Sequence, residues 1–279
     1  MVCISLIWLG GCSMVKTGYN NAPELLYFWL DGYVDANAAQ ATRLRDDLAR
    51  MHQWHRTEEL PKVADLLQKM QKVAPSDVQP AQMCEWAADV RLRLDALASQ
   101  SEGPAMALAR TMEPQQFEHM QAKFNKINAS WREDWLDVTV PQRRERQLKL
   151  VVDRAEQFYG ALDERQRQLL QASVARSRFD PQLSFTERLR RQSDLLQTLR
   201  DIKDKQLPAA QAAAALRAYV DRSWQSPNPA HRAYAEQSLQ DNCKTMAELH
   251  NSTTPDQRAR AAKLLNTYER DLRELALVR

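Results

Sequence analysis

The sequence predicts an all-α protein, a multi-helix bundle without a sheet, and three observations lead to this prediction. Glycine is rare, with 6 in 279 residues, whereas Ala, Leu, Gln, Arg and Glu, which favour helices, are abundant. Apolar residues recur at steps of three and four, the period of a helix. No segment sustains the alternation that a strand would need. Ordinary helix and connection lengths then give about ten helices with short loops.

Three segments carry the helical period most clearly, and they open near Pro114, at Pro141 and in the C-terminal part of the chain. Residues three or four positions apart lie on one face of a helix, so we expect each set to face the core. The three sets are Phe117, Met120, Phe124, Ile127 and Trp131; Leu148, Val152, Ala155, Phe158 or Tyr159, and Leu162; and Ala261, Leu264 or Leu265, Tyr268, Leu272 and Leu275.

Helix starts are marked by a capping residue followed by proline. The side-chain oxygen accepts a hydrogen bond from the first turn, and proline lacks an N–H that would have been unpaired there. Such pairs are Asp180-Pro181, Asn228-Pro229 and Thr254-Pro255, and further starts are expected near Pro80, Pro114, Pro141, Asp163 and Pro208. Pro61 is expected to end the helix that precedes it.

The first twelve residues have the pattern of a bacterial lipoprotein signal. An apolar run leads into Leu9-Gly10-Gly11-Cys12, a lipobox, in which small residues precede a cysteine whose thiol accepts diacylglycerol. We expect a signal peptide over residues 1–11 and lipid attachment at Cys12. The alternative is a buried N-terminal helix with a chance cysteine. No Lys or Arg precedes the apolar run, which suggests that the true start of translation lies upstream.

The remaining residues, 12–279, are expected to form a single helical periplasmic domain, with residues 12–22 as a short tether. They contain no run that approaches the roughly 20 apolar residues of a membrane span. Ser13 stands where an Asp would retain an enteric-type lipoprotein in the inner membrane, so the outer membrane is favoured. The net charge of +3 is spread along the chain, which argues against nucleic-acid binding.

Cysteine usage agrees with an oxidising compartment. Once Cys3 is assigned to the signal peptide and Cys12 to the lipid, Cys84 and Cys243 remain as one pair, and we predict a disulfide between them. The alternative is two unrelated buried thiols.

One group of residues has the spacing of a metal site. His52, His55 and either Glu58 or Glu59 follow helical steps, and imidazole nitrogens with a carboxylate can hold zinc. Against this stands the lack of a further ligand, and exposed His and Glu are common on helices. The chain contains no Gly-x-Ser-x-Gly, no glycine-rich phosphate loop and no His-Glu-x-x-His, so we expect neither an enzyme nor a cofactor.

Aromatic residues form a second group, which begins at Tyr19 and continues close behind Cys12. One interpretation is a first helix buried in the bundle. The other places some of the rings at a membrane interface, where amphipathic aromatics are favoured. Candidates for a binding surface are Tyr27, Trp29, Tyr33 and Trp54. Tryptophans inside helical segments are expected to pack in the core, with a lined groove as the alternative: Trp54, Trp86, Trp131, Trp135 and Trp224.

Taken together, these features resemble an uncharacterised family of proteobacterial lipoproteins known only by a domain-of-unknown-function label. The resemblance covers nearly the whole chain and implies lipidation and a helical fold, but no established activity. Its carriers are Leu9-Gly10-Gly11-Cys12-Ser13, Tyr19-Asn20, the block from Tyr27 to Tyr33, Trp54-His55-Arg56, Glu59-Leu60-Pro61, Phe158-Tyr159-Gly160, His250-Asn251 and Thr253-Thr254-Pro255.

A more distant likeness is to periplasmic stress chaperones of the Spy and CpxP kind, whose helices begin with Leu-Thr-x-x-Gln-Arg. The segments that look similar are Thr254-Pro255-Asp256-Gln257-Arg258 and Leu162-Asp163-Glu164-Arg165-Gln166-Arg167. Neither matches fully, because Thr253 replaces the leucine of the first and Asp163 the threonine of the second. Capping chemistry also accounts for both segments.

Three hypotheses of function follow. The leading one is a non-enzymatic envelope protein, anchored by lipid, whose helical surface binds another protein or a peptide. The second is a module that handles lipid or cell-wall material in an apolar cavity between helices. The third is a metal-dependent enzyme that uses His52, His55 and Glu58 or Glu59.

Overall fold

The computed structural model describes the backbone of residues 10–277, and the side chains from Val15 onward. Most of the expected signal peptide and the Cys12 side chain therefore lie outside the described residues. Within them the chain is helical without strands, which confirms the predicted fold class. The helices are α1 (Gly10–Asn20), α2 (Ala22–Val34), α3 (Ala38–Trp54), α4 (Leu60–Val73), α5 (Pro80–Thr111), α6 (Pro114–Trp135), α7 (Val140–Tyr159), α8 (Glu164–Arg176), α9 (Pro181–Asp204), α10 (Ala209–Trp224), α11 (Pro229–Asn251) and α12 (Pro255–Leu277).

Each helix start predicted from capping chemistry is confirmed to within one residue. Proline occupies one of the first two positions of α5, α6, α7, α9 and α11, and it opens α12. Asp163 caps α8 by accepting from the backbone N–H of Gln166, and Pro208 directly precedes α10. A proline or a capping residue was therefore sufficient to locate these boundaries.

The expectation that Pro61 ends its helix is wrong. Helix α3 continues through a π-helical turn, His55–Glu59, directly into α4, and the N–H of Leu60 donates to the carbonyl of His55. A proline has no N–H and its ring clashes with the preceding turn of an α-helix. The wider turn shifts the hydrogen-bond register so that Pro61 falls at the start of α4, where no N–H is required.

The largest hydrophobic core lies among α2, α5, α6, α9 and α10. The stripe predicted on α6 is confirmed, because Phe117, Met120 and Phe124 are all buried there. The other buried members are Val34, Ala109, Met112, Leu196, Leu199, Ile202, Ala212 and Leu216. A smaller core joins α7, α8 and α11, and it consists of Ala155, Leu162, Leu170 and Leu249.

Helix α12 packs along α4 and ends beside the π-helical turn. Its predicted stripe is confirmed at Ala261, Leu265 and Leu275, which are buried. Tyr268, by contrast, is exposed, and that part of the expectation is wrong. The buried face of α12 also contains two acidic residues, Glu269 and Asp271, and Glu269 forms an ion pair with Arg273. The helical period was right, but polar residues share the buried face.

A disulfide joins Cys84 of α5 to Cys243 of α11, with 5.5 Å between the Cα atoms, as predicted from cysteine usage. Each cysteine belongs to a small core in which Val78, Met83 and Ala247 are buried. The bond therefore fixes the N-terminal part of α5 to α11 across 159 residues of sequence.

The tryptophans were expected in the core, and this expectation is wrong. Trp54, Trp86, Trp131 and Trp135 are only half-buried, and Trp224 is exposed beneath the guanidinium of Arg91. Trp131 stacks on Phe185 at 5.2 Å between ring centroids. These large rings lie at the edges of helix contacts, because a tryptophan is rarely enclosed completely.

Two glutamines join the N-termini of α3 and α6. The amide of Gln40 donates to the side-chain oxygen of Gln116 at 3.0 Å, and Gln116 donates back at 2.8 Å. Each amide also reaches the turn that precedes the other helix, Gln40 at the carbonyl of Thr111 and Gln116 at that of Asp35. Both oxygens accept in addition from the residue that caps their own helix. We call this the first glutamine pair.

The same arrangement recurs at the N-termini of α8 and α12, and we call it the second glutamine pair. Gln166 donates to Gln257 at 2.7 Å and receives a bond from it at 3.0 Å. Their amides reach the carbonyls of Ser252 and Ala161 respectively. In both pairs each carbonyl lies five residues before the partner glutamine, so the two sites have matching geometry.

Candidate functional site

The π-helical turn forms the centre of a cluster that holds the N-terminal helix against the body. Tyr19 of α1 lies between two histidines of the turn region. Its hydroxyl is 2.9 Å from Nδ1 of His55, and its backbone carbonyl is 3.0 Å from Nε2 of His52. Its ring also lies 4.6 Å from that of His52. A π-helical turn is often found at functional sites, and this one makes the cluster a candidate site.

Burial sets the protonation of this cluster. It lowers the pKa of both His52 and His55, with a smaller lowering by Arg56 at the first, while Glu59 partly offsets the change at the second. Burial also raises the pKa of Tyr19 to about 12. Both imidazoles are therefore neutral near pH 7, and Nε2 of His52 donates to the carbonyl of Tyr19, because a carbonyl oxygen can only accept.

The charged residues of the turn are occupied by structural contacts. Arg56 is buried and donates to the side chain of Asn20 and to the carbonyl of Leu275, each at 2.8 Å. Glu59 is buried too, and its carboxylate contacts Lys62 at 2.7 Å and Arg93 at 3.3 Å. The turn thus connects α1, α4, α5 and α12.

A buried carboxylate on α12 completes the attachment of α1. Asp271 is 1 % exposed, and its oxygens make no hydrogen bond with the described residues. Lys16 of α1 balances its charge at 3.2 Å and also pairs with Glu274. Residues 12–22, predicted to be a short tether, are therefore helical up to Asn20 and make buried polar contacts with the body.

The structure brings together two of the four residues predicted as metal ligands. His52 and His55 meet at Tyr19, whereas Glu58 is exposed and Glu59 is engaged by its two cations. The described residues contain no group of three or more His, Cys, Asp or Glu side chains arranged to hold a metal ion. The chemistry that the site displays is hydrogen bonding and charge pairing between helices.

The aromatic block on α2 divides between two faces. Tyr27 is buried beneath the guanidinium of Arg45, and Tyr33 is half-buried against Phe124. Trp29 is exposed, together with Phe28 and the two leucines before Tyr27. The interpretation of a buried helix thus holds for one face of α2, and the other face is exposed. No helix among the described residues has the length and apolarity of a membrane span.

Sequence reasoning missed a second tyrosine–histidine contact. The hydroxyl of Tyr159 is 3.0 Å from Nδ1 of His250, whose Nε2 is 2.9 Å from the carbonyl of Ser76. Beside it, the side chain of Asn251 exchanges two hydrogen bonds with the backbone of Val78. The residues were among those that carried the family resemblance, but only the fold shows that they touch.

An ion-pair cluster between α9 and the loop before α11 was missed as well. Glu187 is buried and receives hydrogen bonds from Arg190, Arg191 and Ser226. Burial raises the pKa of its carboxyl, but these hydrogen bonds outweigh that effect and lower the pKa to about 2. A glutamate followed three and four residues later by arginines was the available signal.

Three surface clefts have volumes of about 420, 460 and 240 Å³. The first is lined partly by Arg258, the second by Arg43 and Asp47, and the third by several Lys, Arg and Asp side chains. The charged lining of the third cleft does not suit an apolar ligand, whereas small and apolar residues line most of the first, so the hypothesis of an apolar cavity for lipid stays a prediction.

One comparison with known proteins identifies a relationship. A family described as a family of unknown function, DUF6279, matches residues 32–211, which is more than half of the chain. The matched stretch contains the π-helical turn and both members of the first glutamine pair. No curated protein and no solved structure matches the chain significantly.

Proposed function

The chain belongs to DUF6279, a family of unknown function, and we propose that it is a lipid-anchored protein of the bacterial envelope that binds a protein or peptide and catalyses no reaction. The observation that carries the binding role is a set of exposed apolar side chains on two helices that are covalently joined. Val90 and Leu94 are exposed one turn apart on α5, and Leu239 and Met246 are exposed two turns apart on α11.

Each of these pairs lies on one face of its helix, because residues four or seven positions apart are stacked along the axis. The disulfide fixes α5 to α11, so the two apolar faces are held in a constant relation. A rigid surface loses little conformational entropy when it binds a partner, and this favours binding. We therefore assign partner binding to the α5–α11 surface, defined by Val90, Leu94, Leu239 and Met246.

The anchored location is supported by the lipobox and by the way in which α1 is attached. Helix α1 includes Cys12 and leads into the cluster around Tyr19 without an intervening loop. An anchor attached in this manner restricts the orientation of the body relative to the membrane. The protein would then present the same surface to each partner that it meets.

The likeness to Spy and CpxP concerns helix-start chemistry. The two similar segments contain Gln166 and Gln257, the members of the second glutamine pair. The first pair has the same geometry on segments that the likeness did not include. This recurrence supports a shared way of closing helical hairpins. Because of the likeness to these chaperones, binding of unfolded client proteins is one form of the proposed function to test.

The experiment is in-cell crosslinking of the full chain, followed by mass spectrometry of the captured proteins and of residue 12. A variant with Leu94→Glu and Met246→Glu should lose the partner, because two charges would replace exposed apolar contacts. The matched control is Leu150→Glu on α7, where an equally exposed leucine lies outside the surface. An unmodified Cys12, or capture that the first variant leaves unchanged, would contradict the proposal.

A further inference from the structure

Helix α2 is apolar on two opposite faces, and only one of them is covered. Tyr27, Leu30 and Val34 point into the body, where they pack against α3 and the main core. The opposite face consists of Leu25, Leu26, Phe28 and Trp29, which are 59, 47, 62 and 60 % exposed. At 3.6 residues per turn these four side chains span an arc of roughly 160°. We call them the α2 apolar face.

A surface helix of a globular protein ordinarily carries polar residues opposite its buried face. In α2 the polar residues Glu24 and Asp31 stand at the border between the two faces instead. Glu24 pairs with Arg45, and Asp31 accepts from the backbone N–H of Ala36. A contiguous apolar patch that these polar residues flank marks an interaction surface rather than an ordinary solvent face.

We propose that the α2 apolar face rests in the headgroup region of the membrane to which the chain is anchored. This inference rests on the proposed anchoring at Cys12. Cys12 and Leu25 are 13 residues apart in two consecutive helices, a distance of at most roughly 20 Å. A lipid held at Cys12 therefore keeps the face within roughly 20 Å of the bilayer surface.

The chemistry of the face suits a lipid surface. Phenylalanine and tryptophan beside leucines are the residues of helices that lie in the plane of an interface, where an indole N–H stays hydrated while its ring is buried. Lys123 of α6 flanks the face, with its ammonium 3.8 Å from the position that a Cβ on Gly32 would take. A cation at this border is placed to meet lipid phosphate groups.

A membrane contact of this kind also explains the attachment of α1. One acyl chain alone gives only marginal binding, and several chains hold a protein without fixing its orientation. Two contacts, the lipid at Cys12 and the α2 apolar face, define an orientation if the segment between them is held in place. The contacts of Lys16 and Tyr19 with α12 and α3 hold that segment.

The test uses the full chain, purified from membranes with its native N-terminus and placed in phosphatidylethanolamine–phosphatidylglycerol vesicles with brominated acyl chains. Bromine quenches a tryptophan only within the bilayer. The contribution of each tryptophan to the fluorescence is the difference between wild type and the variant that lacks it. The contribution obtained with Trp29→Phe should be quenched by the brominated lipid, whereas that obtained with Trp224→Phe should not. Trp224 is the matched control, because it is also exposed but lies on α10.

A second pair of variants distinguishes specific lipid contact of the α2 apolar face from nonspecific binding of exposed apolar residues. Leu25→Ser with Phe28→Ser should remove most of the quenching of Trp29, and Val140→Ser with Leu150→Ser on α7 should leave it unchanged. Circular dichroism verifies that both variants are folded. Unquenched Trp29 in vesicle-attached protein would overturn the inference. A change of Trp29 emission with protein concentration, without quenching, would overturn it in favour of a second copy.

Mass spectrometry of the same sample distinguishes this inference from the proposed function. A diacylated Cys12 with unquenched Trp29 overturns the membrane contact of α2 alone. An unmodified Cys12 overturns the anchoring, and Trp29 quenching in the reconstituted sample still decides whether the face enters lipid.

Discussion

The two glutamine pairs have the same geometry but different surroundings. The first lies beside α2, α5 and α6, next to the large core, in which 11 side chains are buried. The second lies among α7, α8, α11 and α12, next to a core of 4 buried side chains. We call these surroundings the first and the second region. In the second region α7 and α11 are also held by the tyrosine–histidine contact, while Asn251 and the disulfide join α11 to the start of α5.

The difference indicates two ways of stabilising the same arrangement, in which a glutamine pair joins the N-termini of two helices. Where apolar burial is extensive, the glutamines set the register of helices that the core already holds together. Where it is small, specific polar contacts and a covalent bond must hold the helices. The second region should therefore depend on individual bonds, and the first on packing.

The largest effect is expected from the disulfide. Cys84→Ser with Cys243→Ser should lower the free energy of unfolding by as much as about 5 kcal/mol, because the bond closes a loop across 159 residues in the unfolded chain. Urea denaturation measures the change, and wild-type protein in reductant should match the variant. Cys12→Ser is the control and should be neutral. Equal midpoints for wild type and double variant would refute a stabilising role.

Core truncations should affect the regions unequally. Met112→Ala in the first region removes a side chain that is completely buried and should cost about 3 kcal/mol or more, since the surrounding helices can relax only partly. Leu249→Ala in the smaller core should cost less, near the lower end of the range of about 2–5 kcal/mol. Urea titrations of both variants provide the comparison. A larger loss at Leu249 would contradict the assignment of packing to the first region.

Acid should weaken the contact between α9 and the loop that leads to α11. The folded-state pKa of Glu187 is about 2, below its ordinary value of 4.5, so its contribution is present above pH 4.5 and is lost as the pH falls toward 2. With about 1.4 kcal/mol per pKa unit, the loss is at most about 3 kcal/mol. Glu187→Gln should flatten this part of the pH–stability curve, while Glu24→Gln at an exposed ion pair should leave it unchanged.

The fold followed from the sequence to a large extent, because capping and helical period are local properties. Asp163 and the proline pairs located helix starts that needed no tertiary information. Pro61 shows the limit of this approach. Whether a proline ends a helix or is accommodated by a π-helical turn depends on the contacts that the turn makes, here those of Arg56 and Glu59 with distant helices.

The candidate site could be predicted only in part. The spacing of His52 and His55 indicated a shared face, but their actual partner, Tyr19, is 33 residues or more away in sequence. The exposure of Trp29 was likewise undetermined, since the aromatic block has apolar residues on two opposite faces of the helix. A helical period identifies a buried face only when the opposite face is polar, and α2 lacks that contrast.

The smallest effect is expected from the glutamine pairs, and it should still differ between the regions. Gln116→Ala removes the two hydrogen bonds between Gln116 and the buried amide of Gln40 and leaves the carbonyls of Val34 and Asp35 without their side-chain donor, at a cost of about 1–3 kcal/mol. Gln257→Ala removes a half-buried side chain, so water can take its place beside the buried amide of Gln166, and the variant should cost about 1 kcal/mol.

A double-mutant cycle makes this last comparison independent of the single substitutions. Gln40→Ala with Gln116→Ala removes both amides of the first pair, so its cost should fall below the sum of the two single variants, because no buried amide then lacks its partner. The same cycle on Gln166 and Gln257 should give a smaller coupling energy. Equal coupling in both regions would mean that the glutamines contribute independently of the core beside them, and that the regions differ only in the bonds added around the second pair.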